Sequence, residues 1–163
     1  DGIDLSGSKV VIKNNRIKSS GDKCISVGEN TVDTVIFNNI LDSCHIGVQA
    51  KDGSQPVIIN SVIVNNDIGL DAYMKKPIYK TGGQALVYNS LIRNNRQAVK
   101  ADEFSDFSIL FSNVAGAYTG EGNFDEERLE EKINDQGRGH PEALKQYLNI
   151  DAKEAPVGLR EIF

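Results

Sequence analysis

Apolar and polar positions alternate along the chain in short stretches that recur at a nearly constant spacing. Five stretches read small, apolar, polar, apolar, and their second residues are 22, 23, 22 and 29 positions apart. The stretches are Gly2–Leu5, Cys24–Val27, Gly47–Ala50, Gly69–Ala72 and Ala98–Ala101. Period-two alternation over a few residues is typical of a β-strand, and a fixed period in the twenties indicates stacked coils.

A second set of apolar stretches lies between the first ones, and each ends at a polar residue that favours a bend. These polar residues are Asn14, Asn38, Asn60, Asn89 and Ser112. We expect them to form an internal ladder whose side chains hydrogen-bond to the neighbouring coil. The pattern predicts an all-β fold, a right-handed parallel β-helix of about five coils over residues 1–116, with strands about 4.8 Å apart.

The β-helix also predicts which side chains stack inside and where the chain departs from the repeat. We expect one inward column of Ile3, Ile25, Val48, Leu70 and Val99, and another of Leu5, Val27, Ala50, Ala72 and Ala101. The longer step before Val99 indicates an insertion within residues 73–84. Such a loop either contacts a ligand or only accommodates extra residues without a function of its own.

Residues 117–163 do not continue the repeat and predict a helical or irregular C-terminal cap. Asp125 suits the N-cap of one short amphipathic helix, and Pro141 suits the first turn of another. Their apolar faces would consist of Phe124, Leu129 and Ile133, and of Leu144, Tyr147 and Leu148. We expect this tail to cover the strand edges of the last coil. The first coil has no such cap, so we expect more coils upstream or self-association through the open N-terminal coil.

Composition narrows the classes of partner. Hydrophobic residues make up 39% of the chain without an apolar run long enough to cross a bilayer, so we expect no membrane span. The net charge is -5, and no dense Lys/Arg stripe is present, which argues against nucleic acid. No leader is recognisable in this sequence. We nevertheless expect a secreted or cell-surface protein. Cys24 and Cys44 fall in different columns, so we expect reduced, packed thiols.

Polar residues are predicted to form a shallow trough along the outside of the first strand of each coil. Alternation predicts that the small residue at the start of each stretch points outward. It also predicts a row of outward polar residues on the other side of the inward column. That row is Asp4, Ser26, Gln49, Asp71 and Lys100. A second polar column precedes the strand and contains Asp22, His45, Asp67 and Arg96. Asp1 and Lys23 lie one residue closer to the strand. Such a trough suits an extended polymer.

The segment DGIDLSGSKVVIKNNRIKSSGDKCISV resembles polygalacturonase-type glycoside hydrolases of the pectin-lyase-like β-helix superfamily. That family carries Asp-Gly, Gly-Asp-Asp and Gly-His-Gly motifs and hydrolyses its polysaccharide with inversion. The resemblance implies that Asp1 and Asp22 are catalytic, with Asp22 as the general acid, and that His45 belongs to the third motif. It covers about the first third of the chain.

Three departures from the family pattern weaken the catalytic interpretation. Lys23 replaces the second Asp and would hold Asp22 ionised, the wrong state for a general acid. His45 lies three residues before inward Val48, where the family has two, and its flanking glycines are Cys44 and Ile46. The family's Arg-x-Lys motif is missing, and Lys80 is at best a substitute. An Asp at a coil bend also caps backbone N–H groups without any catalytic role.

Three functional hypotheses remain open. The first is a carbohydrate-binding or surface scaffold module that recognises a polysaccharide or oligosaccharide through the polar row, Lys23 and Lys80. The second is an active hydrolase or lyase that needs residues upstream of Asp1, and the third is a purely structural or assembly role. We expect no cofactor and no metal, because Asp4 and Asp71 are three coils, or about 14 Å, apart and no Cys/His set has zinc spacing.

Overall fold

The computed structural model describes residues 1–126, which fold into three parallel β-sheets of five strands each. Sheet A contains β1 (Ile3–Ser6), β4 (Lys23–Gly28), β7 (Ile46–Lys51), β10 (Ile68–Tyr73) and β13 (Gln97–Ala101). Sheet B contains β2 (Val11–Lys13), β5 (Val35–Phe37), β8 (Val57–Ile59), β11 (Gln84–Tyr88) and β14 (Asp106–Leu110). Sheet C contains β3 (Arg16–Lys18), β6 (Ile40–Asp42), β9 (Val62–Val64), β12 (Leu91–Arg93) and β15 (Asn113–Val114).

The strand register confirms the predicted β-solenoid of about five coils. Ile25 pairs with Ile3 on one side and with Val48 on the other, and Leu70 pairs with Val48 and Val99. Each coil therefore contributes one residue to every inward column, and these columns merge into one continuous apolar core. A strand of two or three residues in sheet C completes each coil, and the two sequence columns did not reveal this third strand.

Polar residues line the bend between sheets B and C in two adjacent columns. Asn14, Asn38, Asn60 and Asn89 have positive φ angles between 44° and 59° and share their column with Phe111, whereas we predicted Ser112 in that place. Ser112 belongs to the next column, which is buried and contains Asn39, Ser61 and Ser90. Here each side chain accepts a hydrogen bond from the backbone N–H of the preceding coil, for example Asn39 Oδ1 from Asn15 and Ser61 Oγ from Asn39. The predicted Asn column also forms a ladder, since Asn38 Nδ2 donates to Asn14 Oδ1 and Asn89 Nδ2 donates to Asn60 Oδ1, each over 2.8 Å. Two adjacent ladders therefore stack at this bend, and the one that binds the backbone lies one residue after the predicted column.

The small residues that open each sheet A strand face the interior, which corrects their predicted outward position. A Cβ atom at Gly47 would lie 2.5 Å from Ile63 Cγ2 and 2.5 Å from the carbonyl oxygen of Gly69. Cys24 occupies the same column and is fully buried. The reason is the corner that leads into sheet A, where two successive residues, Gly47 and Val48, both point into the core.

A disulfide joins Cys24 to Cys44, so the prediction of reduced thiols was wrong. Cys44 stacks in the corner column that contains Asn66 in the next coil, and its N–H donates to Asn66 Oδ1 over 2.8 Å. The two cysteines do occupy different columns, but these columns are neighbours at the inward corner, and the Cα atoms are only 5.7 Å apart. The bridge therefore ties one coil to the next from inside.

The remaining predictions concern the irregular segments. The insertion is confirmed as the loop between Tyr73 and Gln84, which contains a 3-10 turn at Pro77–Tyr79. After β15 the chain makes one bridge between Phe124 and Asn113, which begins to cover the last coil. The predicted tail helices lie outside the described residues, and the boundary near residue 116 stays a prediction.

Two observations bear on predicted partners. Within residues 1–126, no helix has the length and apolarity required to cross a lipid bilayer. Strands β1, β2 and β3 are the terminal strands of their sheets in this part of the chain. Self-association through that first coil stays a prediction.

Candidate functional site

The polar row on the outside of sheet A runs along the solenoid in strict register. Asp4 pairs with Ser26, Ser26 with Gln49, Gln49 with Asp71, and Asp71 with Lys100. Neighbouring strands are about 4.8 Å apart, so the row spans about 19 Å, the length of several sugar units. The geometry brings five of the predicted binding residues together on one face.

A groove of about 440 Å³ opens at the last three coils of this row. Its lining includes Gln49, Asp71, Tyr73, Lys100 and Asp102. Gln49 and Asp71 form the floor, because they are only 3% and 5% exposed although they point away from the core. Gln49 Nε2 donates to Asp71 Oδ2 over 2.8 Å, while Gln49 Oε1 is buried and has no donor among residues 1–126. A buried amide oxygen without a donor is an unused site for a hydrogen bond.

Lys51 extends the polar surface toward the first coils and was missed by the sequence analysis. Its side chain crosses Gly28, where a Cβ atom would lie 2.5 Å from Lys51 Cε, and its Nζ donates to Ser26 Oγ over 3.1 Å. Burial lowers the pKa of Lys51, and the Asp4 carboxylate opposes that effect. The available signal was its parity, since Lys51 lies two residues after Gln49 and therefore on the same outer face.

Asp102 closes one end of the groove as a turn residue. Its Oδ2 accepts from the Met74 N–H over 2.9 Å, and its Oδ1 accepts from the Phe104 N–H over 3.1 Å. Burial opposes ionisation, but the nearby Ser105 side chain and these backbone N–H groups outweigh it, so the pKa of Asp102 is lowered. Asp102 therefore contributes a fixed negative charge, and its position directly after β13 was not singled out from the sequence.

The two predicted catalytic aspartates meet at one ammonium group, that of Lys23. Lys23 Nζ lies 3.6 Å from Asp1 Oδ1 and also contacts Asp22 Oδ2 directly. The hydrogen bond from Lys23 is the main reason that the pKa of Asp22 is lowered, and the slight burial of Asp22 opposes it only in part. Asp22 is therefore held as a carboxylate, which can accept a hydrogen bond but cannot donate a proton.

His45 belongs to a separate charged group at the same corner. Its Nδ1 lies 2.8 Å from Asp67 Oδ2, and Arg96 Nε lies 3.7 Å from the other oxygen of Asp67. About half of the His45 and Asp67 side chains is exposed. The hydrogen bond from His45 lowers the pKa of Asp67. His45 is thus engaged with the following coil, and its partner is Asp67 instead of the Asp1 and Asp22 pair.

Two further predictions concern Lys80 and metal binding. Lys80 ends the 3-10 turn of the insertion loop with φ 64° and an exposed side chain, so it lies on the loop and not in the row. No cluster of three or more His, Cys, Asp or Glu side chains suitable for a metal occurs within residues 1–126. The groove offers hydrogen bonds and charges of both signs, which suits a hydroxyl-rich ligand.

Replacing Lys23 with Gln is expected to raise the pKa of Asp22 toward the ordinary value of an aspartate. The folded-state pKa is depressed, so the pair stabilises the fold at pH values above the unfolded-state pKa and loses this contribution as pH falls through the folded-state pKa. Carboxyl-carbon NMR titration of Asp22 in both proteins measures the change. Lys9→Gln removes an exposed lysine elsewhere and should leave Asp22 unchanged; an unchanged Asp22 titration in Lys23→Gln would refute the coupling.

Comparison with known proteins bears on the fold. Residues 1–114 match the family model described as a right handed beta helix region. Neither the curated proteins nor the solved structures contain a match to the chain.

Proposed function

The chain belongs to the right-handed β-helix family, and from this fold we propose that it binds a polysaccharide along the outer face of sheet A. The observation that carries the proposal is the in-register polar row with its recessed groove. In this interpretation the chain is a carbohydrate-binding or surface scaffold module, and its relation to polygalacturonases is one of descent and not of retained chemistry.

The groove has the features that sugar recognition requires. A sugar presents several hydroxyls, so two neighbouring hydroxyls can donate one to Gln49 Oε1 and the other to the Asp71 carboxylate. Gln49 Oε1 has almost no contact with solvent, so this proposal requires the Gln49 amide to turn toward the groove when the sugar binds. Tyr73 supplies a half-buried aromatic wall, and Lys100 supplies an exposed cation at the open side. The long row provides repeated contacts for successive sugar units.

Hydrolysis is the second candidate, because Asp1 and Asp22 converge on the same ammonium. An inverting glycosidase needs one protonated carboxyl to donate to the leaving oxygen and one carboxylate to activate water. The lowered pKa of Asp22 opposes the first role. Binding is therefore the better account of the geometry.

The disulfide supports a location outside the cytosol. Cys24 and Cys44 form a bridge buried within the core. Disulfides form and persist in oxidising compartments and are rare where thiols are kept reduced. We infer that the protein is secreted or displayed at the cell surface, where polysaccharides are available as ligands.

A glycan panel followed by calorimetry tests the proposal. Neutral, amino and uronic polysaccharides all belong in the panel, because the groove presents charges of both signs. For the glycan that binds, we expect Asp71→Asn and Lys100→Gln each to weaken affinity about tenfold or more, since each removes a charged hydrogen-bonding group. Lys9→Gln is the matched control and should bind normally, because Lys9 is exposed between β1 and β2 and does not line the groove.

Each alternative has its own outcome in the same experiment. If no polysaccharide binds, the structural or assembly role replaces the binding proposal. Affinity that survives both groove substitutions would place the site elsewhere. New reducing ends released from a bound glycan, and lost in Asp22→Asn, would establish the hydrolase instead.

A further inference from the structure

The turns that connect sheet A to sheet B carry most of the large hydrophobic side chains that are exposed within residues 1–126. Ile78 is 82% exposed, Phe104 is 46% exposed and Val32 is 38% exposed. They lie in three different coils, between β10 and β11, between β13 and β14, and between β4 and β5. We call this edge of the solenoid the A–B corner; it consists of residues 29–34, 52–56, 74–83 and 102–105.

The insertion loop holds Ile78 at its tip in an ordered turn. The N–H groups of Lys75 and Lys76 both donate to Asp52 Oδ1, each over 2.7 Å, and Asp52 is fully buried. The 3-10 turn Pro77–Tyr79 follows directly. The backbone of the tip is thus fixed before any partner binds, so little conformational entropy is lost when a partner buries Ile78.

The insertion loop is joined to the turns on both sides of it. The Gly82 carbonyl oxygen accepts from the Gly53 N–H of the preceding coil, and the Gly82 N–H donates to the Phe104 carbonyl oxygen of the following coil, each over 2.9 Å. The Lys76 ammonium forms an ion pair with Glu29, two coils earlier. The A–B corner is therefore one continuous edge, and the insertion loop is its longest segment.

Three lysines surround the apolar tip. Lys75, Lys76 and Lys80 flank Ile78, and the insertion loop contains no acidic residue. Glu29 neutralises Lys76, whereas the side chains of Lys75 and Lys80 are exposed. The loop is thus basic, although the whole chain has a net charge of -5.

The neighbouring turns confine this basic surface to the insertion loop. Asp33 follows Val32 in its turn, and Glu103 precedes Phe104 in its own. A negatively charged partner is repelled by the acids of these two turns and attracted by the lysines of the loop. Contact with such a partner is therefore centred on Ile78.

The residues of the loop fit the surface of a lipid bilayer. An aliphatic side chain is stabilised when it moves from water into the acyl region, and lysine ammonium groups are stabilised by the phosphates of anionic headgroups. Tyr79 is half-buried beside the tip, and tyrosine is enriched at this interface. A flat lipid surface also needs no pocket that is complementary to Ile78.

We propose that the insertion loop docks the protein on an anionic lipid surface. Ile78 enters the boundary between headgroups and acyl chains, and Lys75 and Lys80 contact the lipid phosphates. This is peripheral binding, for which no membrane-spanning segment is required. It adds a second surface to the molecule, separate from the polar row on sheet A.

Tryptophan fluorescence tests the insertion of the tip. The chain has no tryptophan, so Ile78→Trp introduces a single reporter. We expect its emission to shift to the blue with vesicles that contain phosphatidylglycerol and not with vesicles of phosphatidylcholine alone. Ile40→Trp is the control, because Ile40 is 37% exposed on sheet C, and it should show no shift. No shift at Ile78→Trp, or an equal shift in both variants, would overturn the proposal.

Cosedimentation with the same anionic vesicles provides a second readout. Ile78→Ser should weaken binding about tenfold or more, and Lys75→Gln and Lys80→Gln about fivefold each. Lys13→Gln removes an exposed lysine from sheet B and should bind normally. Binding that survives Ile78→Ser contradicts docking through the loop. Vesicles that fail to bind the unaltered protein also contradict it and favour an apolar pocket on a protein partner.

Discussion

Replacing Leu70 with Ala is expected to lower the free energy of unfolding by about 2–5 kcal/mol, the usual range for a buried leucine. Leu70 is fully buried and stacks between Val48 and Val99. Its removal leaves a cavity that the paired strands on both sides cannot close, because hydrogen bonds hold the strand spacing. Urea unfolding followed by circular dichroism measures the loss.

Ile78 provides the control for this substitution. It is also a large aliphatic residue but is 82% exposed, so Ile78→Ala should change stability by no more than about 0.5 kcal/mol. Equal effects of the two substitutions would contradict the stacked core, since burial in the inward column is the difference between them.

Loss of the disulfide is expected to cost about 3 kcal/mol. The bridge closes a segment with a sequence separation of 20 between Cys24 and Cys44, and restricting a loop of that length in the unfolded chain has this effect in the chain-entropy model. The double variant Cys24→Ala, Cys44→Ala is the test, because alanine leaves no buried hydroxyl without a partner. Chemical unfolding without reductant compares it with the unaltered protein.

Reductant separates the bridge from the loss of side-chain volume. Dithiothreitol should destabilise the unaltered protein and leave the double variant unaffected. Thiol labelling of the denatured, unreduced protein should find no reactive cysteine. Two labelled cysteines per chain would show that the bridge is not formed.

The fold was predictable because the inward columns repeat both their sequence spacing and their apolar residue type. Residues such as Ile25, Val48 and Leu70 recur at a spacing that only a coil of fixed length explains, and the register places them as expected. Sheet C was not found because its strands, of two or three residues, each follow a sheet B strand after only two intervening residues and do not stand out as a separate stretch. The disulfide was missed because residues in different columns were assumed to be far apart. The corner between those columns instead turns Cys24 and Cys44 toward each other.

The polar row of the candidate site could be predicted from the sequence, but the burial of its residues could not. Alternation placed Gln49, Asp71 and Lys100 on one outer face, because side-chain direction follows directly from the strand period. The burial of Gln49 and its pairing with Asp71 depend on side-chain conformations that a period does not specify. Lys51 was overlooked for a related reason. Its side chain can cross the neighbouring strand only because Gly28 has no side chain there.

The constant step between paired strands has an evolutionary consequence. Ile46 and Ile68 occupy equivalent places in successive coils, as do Val48 and Leu70. Deleting or duplicating a whole turn at such equivalent points would join surfaces that already match, so recombination could change the length of the protein without redesigning its interior. A shift by a single amino acid would instead reverse the facing of every later side chain.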